Sequence, residues 1–317
     1  NAMARAADGT LVDPFHGRRD LEAKILRHVG PAFAEDPVRI LRIARFAARF
    51  GDFSLAPETL ELMRGMVAAG EVDHLVAERV WQELAKGLME AQPSRMFTVL
   101  RECGALARLL PEVDALFGVA QRADYHPEID TGVHTMMVVD QAARHDFALP
   151  VRFAALTHDL GKATTPADIL PRHIGHEMRS VQLVTALCER LRVPGECRDL
   201  ALLAARYHGD IHRAGDLRAA TLVTLLERTD ALRRPERFRQ LLQACRCDYN
   251  GRLGWQDRPY DSPQHLLAVL AAVNAVKAGK IAAACADKAK IPERIHAARV
   301  AAVKRLLDEA RNDQENQ

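Results

Sequence analysis

The chain has 317 residues, of which 48% are hydrophobic and 27% are charged, and its formal net charge is +2. A chain of this length can bury a sizeable core and is expected to fold as two or three units rather than one. The net charge is far smaller than the basic excess of proteins that bind nucleic acid through their overall charge, so any affinity for RNA must come from local patches.

We expect a cytoplasmic protein with no membrane partner. No apolar run approaches the roughly 20 residues needed to cross a bilayer, and the N-terminus lacks the basic and apolar regions of a signal peptide. The six cysteines do not show the spacing of a zinc site, so they are predicted to be reduced and mostly buried thiols.

Helical periodicity dominates the chain and predicts an all-α fold. In residues 37–50 the apolar side chains recur at helical spacing, and Asp36 with Pro37 supplies an N-cap followed by proline in the first turn. Only 5% of the residues are aromatic, and the one plausible strand is Thr10-Leu11-Val12. Similar patterns predict helices at 57–69, 78–91, 93–103, 133–146, 150–159, 175–192, 195–208, 217–233, 235–249, 261–278 and 291–311.

Polar, helix-breaking connections divide these helices into three predicted units. The most polar connection runs from Val119 to Gly132 and predicts a domain boundary. A second, softer boundary falls near Gly251 to Pro263. The predicted units are therefore residues 1–118, 119–250 and 251–317.

Histidines and aspartates at predicted helix ends indicate a metal site. His134 opens one predicted helix, and the adjacent pair His158-Asp159 closes another, just before Gly161 breaks the regular backbone. Two neighbouring side chains reach one ion most easily near a helix end. His176 and His208 add imidazoles at the ends of the next two predicted helices. Two ionisable groups at the end of an apolar segment are hard to explain by packing, because unpaired buried charge is costly.

The donor set does not identify the ion. Imidazole nitrogen with carboxylate oxygen accommodates Mn, Fe, Ni, Zn or Mg, and no thiolate is placed to favour a soft metal. A late carboxylate, either Asp248 or Asp230, is expected to complete the set.

The pattern of His134, His158-Asp159 and a later aspartate resembles the HD superfamily of metal-dependent phosphohydrolases. The resemblance implies a metal-activated water that attacks a phosphomonoester or phosphodiester. It implies metal-binding and catalytic roles for these residues, with His208 among the catalytic ones. Lys162 is a candidate phosphate contact, with a solvated lysine as the alternative.

The resemblance also bears on the last metal ligand. It favours Asp248, which lies in the Asp-x-x-Gly-Arg setting that related enzymes show. Asp230 remains the rival, because it lies nearer to His208 in sequence.

An upstream helix carries a second candidate site. Arg39, Arg42 and Arg45 recur at every third position after Asp36, so three guanidinium groups can line one groove and bind a triphosphate or a base edge. The alternative is an amphipathic helix with a solvated basic face.

Three segments around this helix resemble the neck motifs of class II tRNA nucleotidyltransferases: Asp13-Pro14-Phe15-x-Gly17, Leu26-Arg27-His28-Val29 and Glu35-Asp36-x-x-Arg39. In that family the aspartate and arginine of the third motif read the base of the incoming CTP or ATP. The resemblance therefore implies this role for Asp36 and Arg39, and nucleotide contacts for Arg42 and Arg45.

The pairing of such a neck with an HD domain is similar to the multifunctional CCA proteins of proteobacteria. The resemblance implies a neck and RNA-binding body in 1–118, an HD phosphohydrolase in 119–250 and a helical tail in 251–317. It implies tRNA, CTP and ATP as partners and allows a homodimer. The expected hydrolase substrates are 2′,3′-cyclic phosphates, 2′-nucleotides and other phosphates.

One departure from that family concerns the catalytic head. The head holds two magnesium ions with a paired Asp-x-Asp, and no Asp-x-Asp occurs in this sequence. We therefore expect the head to be missing and the chain not to add CCA alone. Two other hypotheses remain: a free-standing HD phosphohydrolase that acts on a small nucleotide, and a helical RNA-binding module whose HD site is vestigial.

Overall fold

The computed structural model describes residues 2–315 and confirms the all-α prediction. Its α-helices, in chain order, are α1 Gly17–Glu22, α2 Val38–Arg49, α3 Pro57–Ala68, α4 Ala77–Leu88, α5 Ser94–Glu102, α6 Ala105–Leu109, α7 Pro111–Asp114, α8 Thr131–Arg144, α9 Leu149–Thr157, α10 His176–Leu191, α11 Gly195–His212, α12 Ala219–Arg228, α13 Pro235–Asn250, α14 Ser262–Ala275, α15 Ala278–Ala283 and α16 Ile291–Glu315.

Strands are confined to the first part of the described chain. The predicted strand appears as β2 (Leu11–Val12), which pairs antiparallel with β1 (Ala4–Arg5). A second pair, which is parallel, joins β3 (Ile25–Leu26) to β4 (Ser54–Leu55). The sequence pattern does not predict this pair, because a two-residue strand is too short to show an alternation of apolar and polar residues.

The arginine-bearing helix α2 forms as its sequence predicts. The Asp36 carboxylate accepts a hydrogen bond from the Val38 backbone N–H at 3.2 Å, which satisfies one of the free donors of the first turn. Ile40, Leu41 and Ala44 are buried on the opposite face from the exposed Arg42. The apolar face packs mainly against α4 and α5.

Two polar side chains join the first helices to the later ones. Arg152 of α9 is 2% exposed, and its guanidinium donates to the backbone carbonyls of Leu88, the last residue of α4, at 2.9 Å and of Glu90 at 3.1 Å. Asp140 of α8 accepts from the backbone N–H and hydroxyl of Ser94 at the start of α5. The later helices thus satisfy backbone groups at both sides of the α4–α5 turn, which fixes the two parts against each other.

Helix α9 places the predicted metal ligands deep in the protein. Every residue from Pro150 to Thr157 is buried, and α9 packs against α8, α11 and α13. The chain then continues into a 3₁₀ turn, Leu160–Thr164. A Cβ at Gly161 would lie 2.2 Å from the backbone oxygen of His176, so this glycine allows α10 to approach the turn closely.

One segment, Ser262–Ala283, is long and apolar enough to cross a membrane by length and composition alone. The expectation that no apolar run approaches this length is therefore wrong. In the structure the segment forms two helices, α14 and α15, with Val276 between them in an extended conformation. Leu266, Val269 and Val273 of α14 are buried, and α14 packs against α12 and α16.

Candidate metal centre

Side chains of the predicted metal site converge from separate segments of the chain. His134 comes from α8, the pair His158-Asp159 follows α9, and Asp248 comes from α13. The Asp248 Oδ1 atom lies 3.0 Å from His134 Nε2 and 3.7 Å from His158 Nε2, and Asp159 Oδ2 lies 3.2 Å from His158 Nε2. His134 and Asp248, which are 114 residues apart in the sequence, thus meet at one point.

A second group of donors shares Asp159 with the first. The Oδ1 atom of Asp159 lies 3.2 Å from Nε2 of His176, at the start of α10, and 3.4 Å from Nε2 of His208, in α11. The predicted end of the helix at residue 208 is wrong, because α11 continues to His212 and His208 lies within it. The ligand atoms of His134, His158 and Asp159 lie close enough together to hold one ion, and so do those of Asp159, His176 and His208.

The histidine tautomers support metal binding. The Nδ1 atoms of three histidines face backbone carbonyls: His158 faces Ala155 at 2.9 Å, His208 faces Ala204 at 2.9 Å, and His176 faces His173 at 2.6 Å. A carbonyl only accepts, so in the neutral form of each ring Nδ1 carries the proton and Nε2 keeps its lone pair. Each Nε2 is therefore available as a metal ligand.

These lone pairs point toward each other and require a positive charge between them. His176 Nε2 and His208 Nε2 are 3.2 Å apart, a distance at which two acceptors repel. Within residues 2–315, His158 Nε2 and Asp159 Oδ1 are buried and make no hydrogen bond of acceptable geometry. Buried polar atoms are rarely left in this state without an ion or water. The residues present therefore fit a divalent cation.

Both carboxylates of the cluster are held in the charged form that binds metal. Burial opposes ionisation, but the charges of Lys162 and His158 hold the pKa of Asp159 well below its usual range. Burial is likewise outweighed at Asp248, where His212 and His158 lower the pKa. Burial acts to lower the pKa of His158, but the two carboxylates raise it to about 10, so Nε2 takes up a proton that a metal ion must displace.

Lys162 lies inside the centre rather than in solvent. Its side chain is 8% exposed, and Nζ lies 2.7 Å from Asp159 Oδ2 and 3.0 Å from Gln121 Oε1. A buried ammonium at this place brings positive charge to the edge of the donor cluster.

The structure separates the two candidates for the last carboxylate. Asp248 is 3% exposed and contacts the cluster, as described above. Asp230 lies outside it, just after α12, in a left-handed conformation with φ of 59°. Its carboxylate accepts from Arg233 at 2.6 Å and Arg237 at 3.4 Å.

Three further residues at the centre were missed in the sequence. His212 Nε2 lies 2.6 Å from Asp248 Oδ2, and the Tyr260 hydroxyl lies 2.9 Å from His212 Nδ1. On the other side, the buried carboxylate of Glu128 lies 2.8 Å from His134 Nδ1. His212 follows His208 by four residues on the same helix face, and that spacing is the signal that could have identified it. Glu128 and Tyr260 lie in loops, where no periodicity marks them.

The side chains of the arginine helix have a different environment. Asp36 pairs with Arg79 of α4 at 2.7 Å, and Arg39 donates to the backbone carbonyl of Ala32. Arg42 is exposed. Arg45 does not line a groove with Arg39 and Arg42, contrary to the expectation that all three guanidinium groups do so.

Arg45 turns instead toward acidic residues on and just after α4. Its guanidinium lies 2.9 Å from Glu83 and 3.5 Å from Glu90, and its side chain is 16% exposed. Arg45 is thus paired with two carboxylates, whereas Arg39 contacts a backbone carbonyl and Arg42 is exposed.

Two protein-family models match the chain. The model described as the probable RNA- and SrmB-binding site of polymerase A matches residues 52–117. The HD domain model matches residues 131–271, so it includes the metal cluster and extends into α14.

Comparison with curated proteins identifies the family. Over all 317 residues, the chain is 79% identical to a multifunctional CCA protein of Dechloromonas aromatica (strain RCB), and it covers 77% of that protein. The chain belongs to the multifunctional CCA protein family. A second member of the family, from Burkholderia mallei (strain SAVP1), is 66% identical over 310 residues, which are 96% of this chain and 75% of that protein.

Solved structures of CCA-adding enzymes share the fold of this chain. A structure described as a CCA-adding enzyme with ATP has a TM-score of 0.59 at 17% identity, covering 93% of this chain and 64% of that chain. A Thermotoga maritima CCA-adding enzyme complexed with tRNA has a TM-score of 0.52 at 16% identity, covering 86% of this chain and 58% of that chain. At such low identities the likeness concerns the fold alone.

Proposed function

We propose that the centre formed by His134, His158, Asp159 and Asp248 is a metal-dependent phosphohydrolase site. The observation that carries this proposal is the convergence of buried imidazole nitrogens and carboxylates on one place. Within the described residues, His158 Nε2 and Asp159 Oδ1 have no hydrogen-bond partner there. The expected substrates are 2′,3′-cyclic phosphates, 2′-nucleotides and other phosphate esters, as the family resemblance implies.

The residues of the centre divide the work of hydrolysis. When bound, a divalent ion lowers the pKa of a water ligand and neutralises phosphate charge. His134, His158, Asp159 and Asp248 would hold one ion, and His176 with His208 would extend the donor set on the other side of Asp159. Nickel, manganese and magnesium are the expected candidates. Lys162 supplies a positive charge that attracts a phosphate oxygen to the cluster.

The experiment is a hydrolysis assay on the whole chain, first stripped with a chelator. Turnover of 2′,3′-cyclic AMP or of a generic phosphomonoester is expected only after nickel, manganese or magnesium is restored. His158→Ala and Asp159→Ala should abolish turnover, because each removes a ligand. Circular dichroism would show that these variants keep their helices. Activity that persists after chelation, or in either variant, would overturn the assignment.

We further propose that this chain acts within a CCA-adding tRNA nucleotidyltransferase that matures and repairs tRNA 3′ ends. Support comes from the family membership and from the match of residues 52–117 to an RNA-binding model. tRNA, CTP and ATP are the proposed partners of the complete protein. Asp36, Arg39, Arg42 and Arg45 are the proposed nucleotide contacts.

Nucleotidyl transfer itself requires carboxylates that this sequence lacks. A paired Asp-x-Asp holds the two magnesium ions of such enzymes, and the sequence has none. We expect no incorporation of CTP or ATP by the isolated chain into tRNA that lacks its 3′ terminus. Detectable metal-dependent addition by this polypeptide would contradict the proposal. The three predicted units, the cytoplasmic location and a homodimer stay predictions.

A further inference from the structure

The two oxygens of Asp248 have different neighbours. Oδ1 faces the metal donors, at 3.0 Å from His134 Nε2 and 3.7 Å from His158 Nε2. Oδ2 faces away from them and lies 2.6 Å from His212 Nε2. One oxygen is thus directed at the ion site while the other is held by a side chain of α11.

His212 links Asp248 to Tyr260, which lies in the connection between α13 and α14. Since the Asp248 carboxylate only accepts, His212 Nε2 carries the proton and Nδ1 keeps its lone pair. That lone pair accepts from the hydroxyl of Tyr260 at 2.9 Å. The hydrogen bonds therefore run in one direction, from the tyrosine through the imidazole to the carboxylate.

The surroundings of Tyr260 keep its hydroxyl protonated and in place. Burial raises the pKa of Tyr260, so its hydroxyl keeps the proton. The ring of Tyr260 stacks on Tyr249, with ring centroids 4.5 Å apart and an interplanar angle of 16°. This stacking fixes where the hydroxyl points.

We propose that His212 and Tyr260 are positioning residues that orient Asp248 so that Oδ1 is offered to the metal ion. The inference rests on the metal site proposed above. Removing a side chain that hydrogen-bonds to a metal-binding residue typically weakens metal affinity by about 10–100-fold. Because Tyr260 lies between α13 and α14, the segment that leads into the C-terminal helices takes part in forming the centre.

The test is a calorimetric titration of the whole metal-free chain with Mn²⁺, repeated with Co²⁺ for its visible absorption spectrum. His212→Ala should weaken Mn²⁺ binding by about 10–100-fold and shift the Co²⁺ bands. His212→Gln should recover most of this loss, because its amide N–H can still donate to Asp248. Tyr260→Phe should weaken binding by about fivefold, the worth of one neutral hydrogen bond.

Tyr249→Phe is the matched control. It makes the same chemical change on the ring that stacks against Tyr260, but it leaves the hydrogen bonds to His212 and Asp248 in place. Its Mn²⁺ affinity should equal that of the wild type. A loss in Tyr249→Phe as large as that in Tyr260→Phe would attribute the effect to packing and overturn the inference.

The remaining outcomes are separable. Wild-type Mn²⁺ affinity in both His212→Ala and Tyr260→Phe would overturn the positioning role and leave the metal site standing. A His212→Gln variant as weak as His212→Ala, with Co²⁺ bands of a site that has lost a nitrogen, would make His212 a direct ligand and overturn the inference. A wild-type chain that binds neither ion would defeat the proposed function itself.

Discussion

The metal cluster and the arginine helix α2 both carry the polar motifs of a predicted site, but their side chains are arranged in opposite ways. At the cluster, donors from separate segments point inward, and His176 Nε2 and His208 Nε2 face each other at 3.2 Å. On α2 the side chains point apart, and Asp36 and Arg45 each have an oppositely charged partner. Acceptors that face each other call for a cation between them, whereas groups of opposite charge already neutralise each other.

The largest expected effect tests the cluster through its two rival aspartates. Asp248→Asn removes the negative charge of a metal ligand and should weaken Mn²⁺ binding by more than the roughly 100-fold typical of outer partners. Asp230→Asn is the matched control and should bind Mn²⁺ like the wild type, since Asp230 contacts Arg233 and Arg237 instead. Titration calorimetry measures both. Equal losses in the two variants would contradict the geometry.

The next prediction concerns the contact between the two regions. Arg152→Ala leaves the carbonyls of Leu88 and Glu90 without their buried donor. We expect a loss of about 3 kcal/mol in the free energy of unfolding, since each unsatisfied buried group costs about 1–3 kcal/mol. Urea denaturation measures it.

The matched control is Arg144→Ala, which breaks only an exposed pair with Asp257 and should cost less than about 1 kcal/mol. If the two variants are equally stable, Arg152 does not join the regions.

A smaller effect distinguishes the arginines of α2 from one another. Arg45→Ala removes the ion-pair partner of the mostly buried Glu90 and leaves Glu83 with only Lys86, at 3.4 Å. This loss should cost about 2 kcal/mol, below the value for a fully buried pair. Arg42→Ala, at an exposed position, should stay within about 0.5 kcal/mol of the wild type. Thermal unfolding of the two variants gives the comparison. An Arg45→Ala chain as stable as the wild type would show that the contacts of Arg45 with Glu83 and Glu90 do not stabilise the fold.

The smallest expected effect concerns nucleotide selection in the complete protein. If Arg39 reads the base, Arg39→Ala should reduce the preference for CTP and ATP over GTP and UTP on the order of tenfold, the worth of a charged hydrogen bond. The HD hydrolase should be unaffected. The measurement is the ratio of incorporated nucleotides for wild type and variant. An unchanged ratio at normal rates would leave α2 as an ordinary basic helix.

Much of the fold was determined by the sequence alone. Helical periodicity placed α2, α8 and α13 to within a few residues, because the spacing of apolar side chains on one helix is a local property. The motif of His134 with His158-Asp159 was also visible, since an ionisable pair at the end of an apolar segment is unusual in any sequence.

Only the tertiary structure decided which polar groups meet. The sequence left both Asp248 and Asp230 open as the last ligand, but α13 brings Asp248 to the cluster while the turn after α12 carries Asp230 away from it. The hydrogen-bonded partners His212 and Tyr260 lie 48 residues apart. Such contacts depend on how helices pack at long range, and helical periodicity reports only which face of a helix is buried, not which distant side chain lies against it.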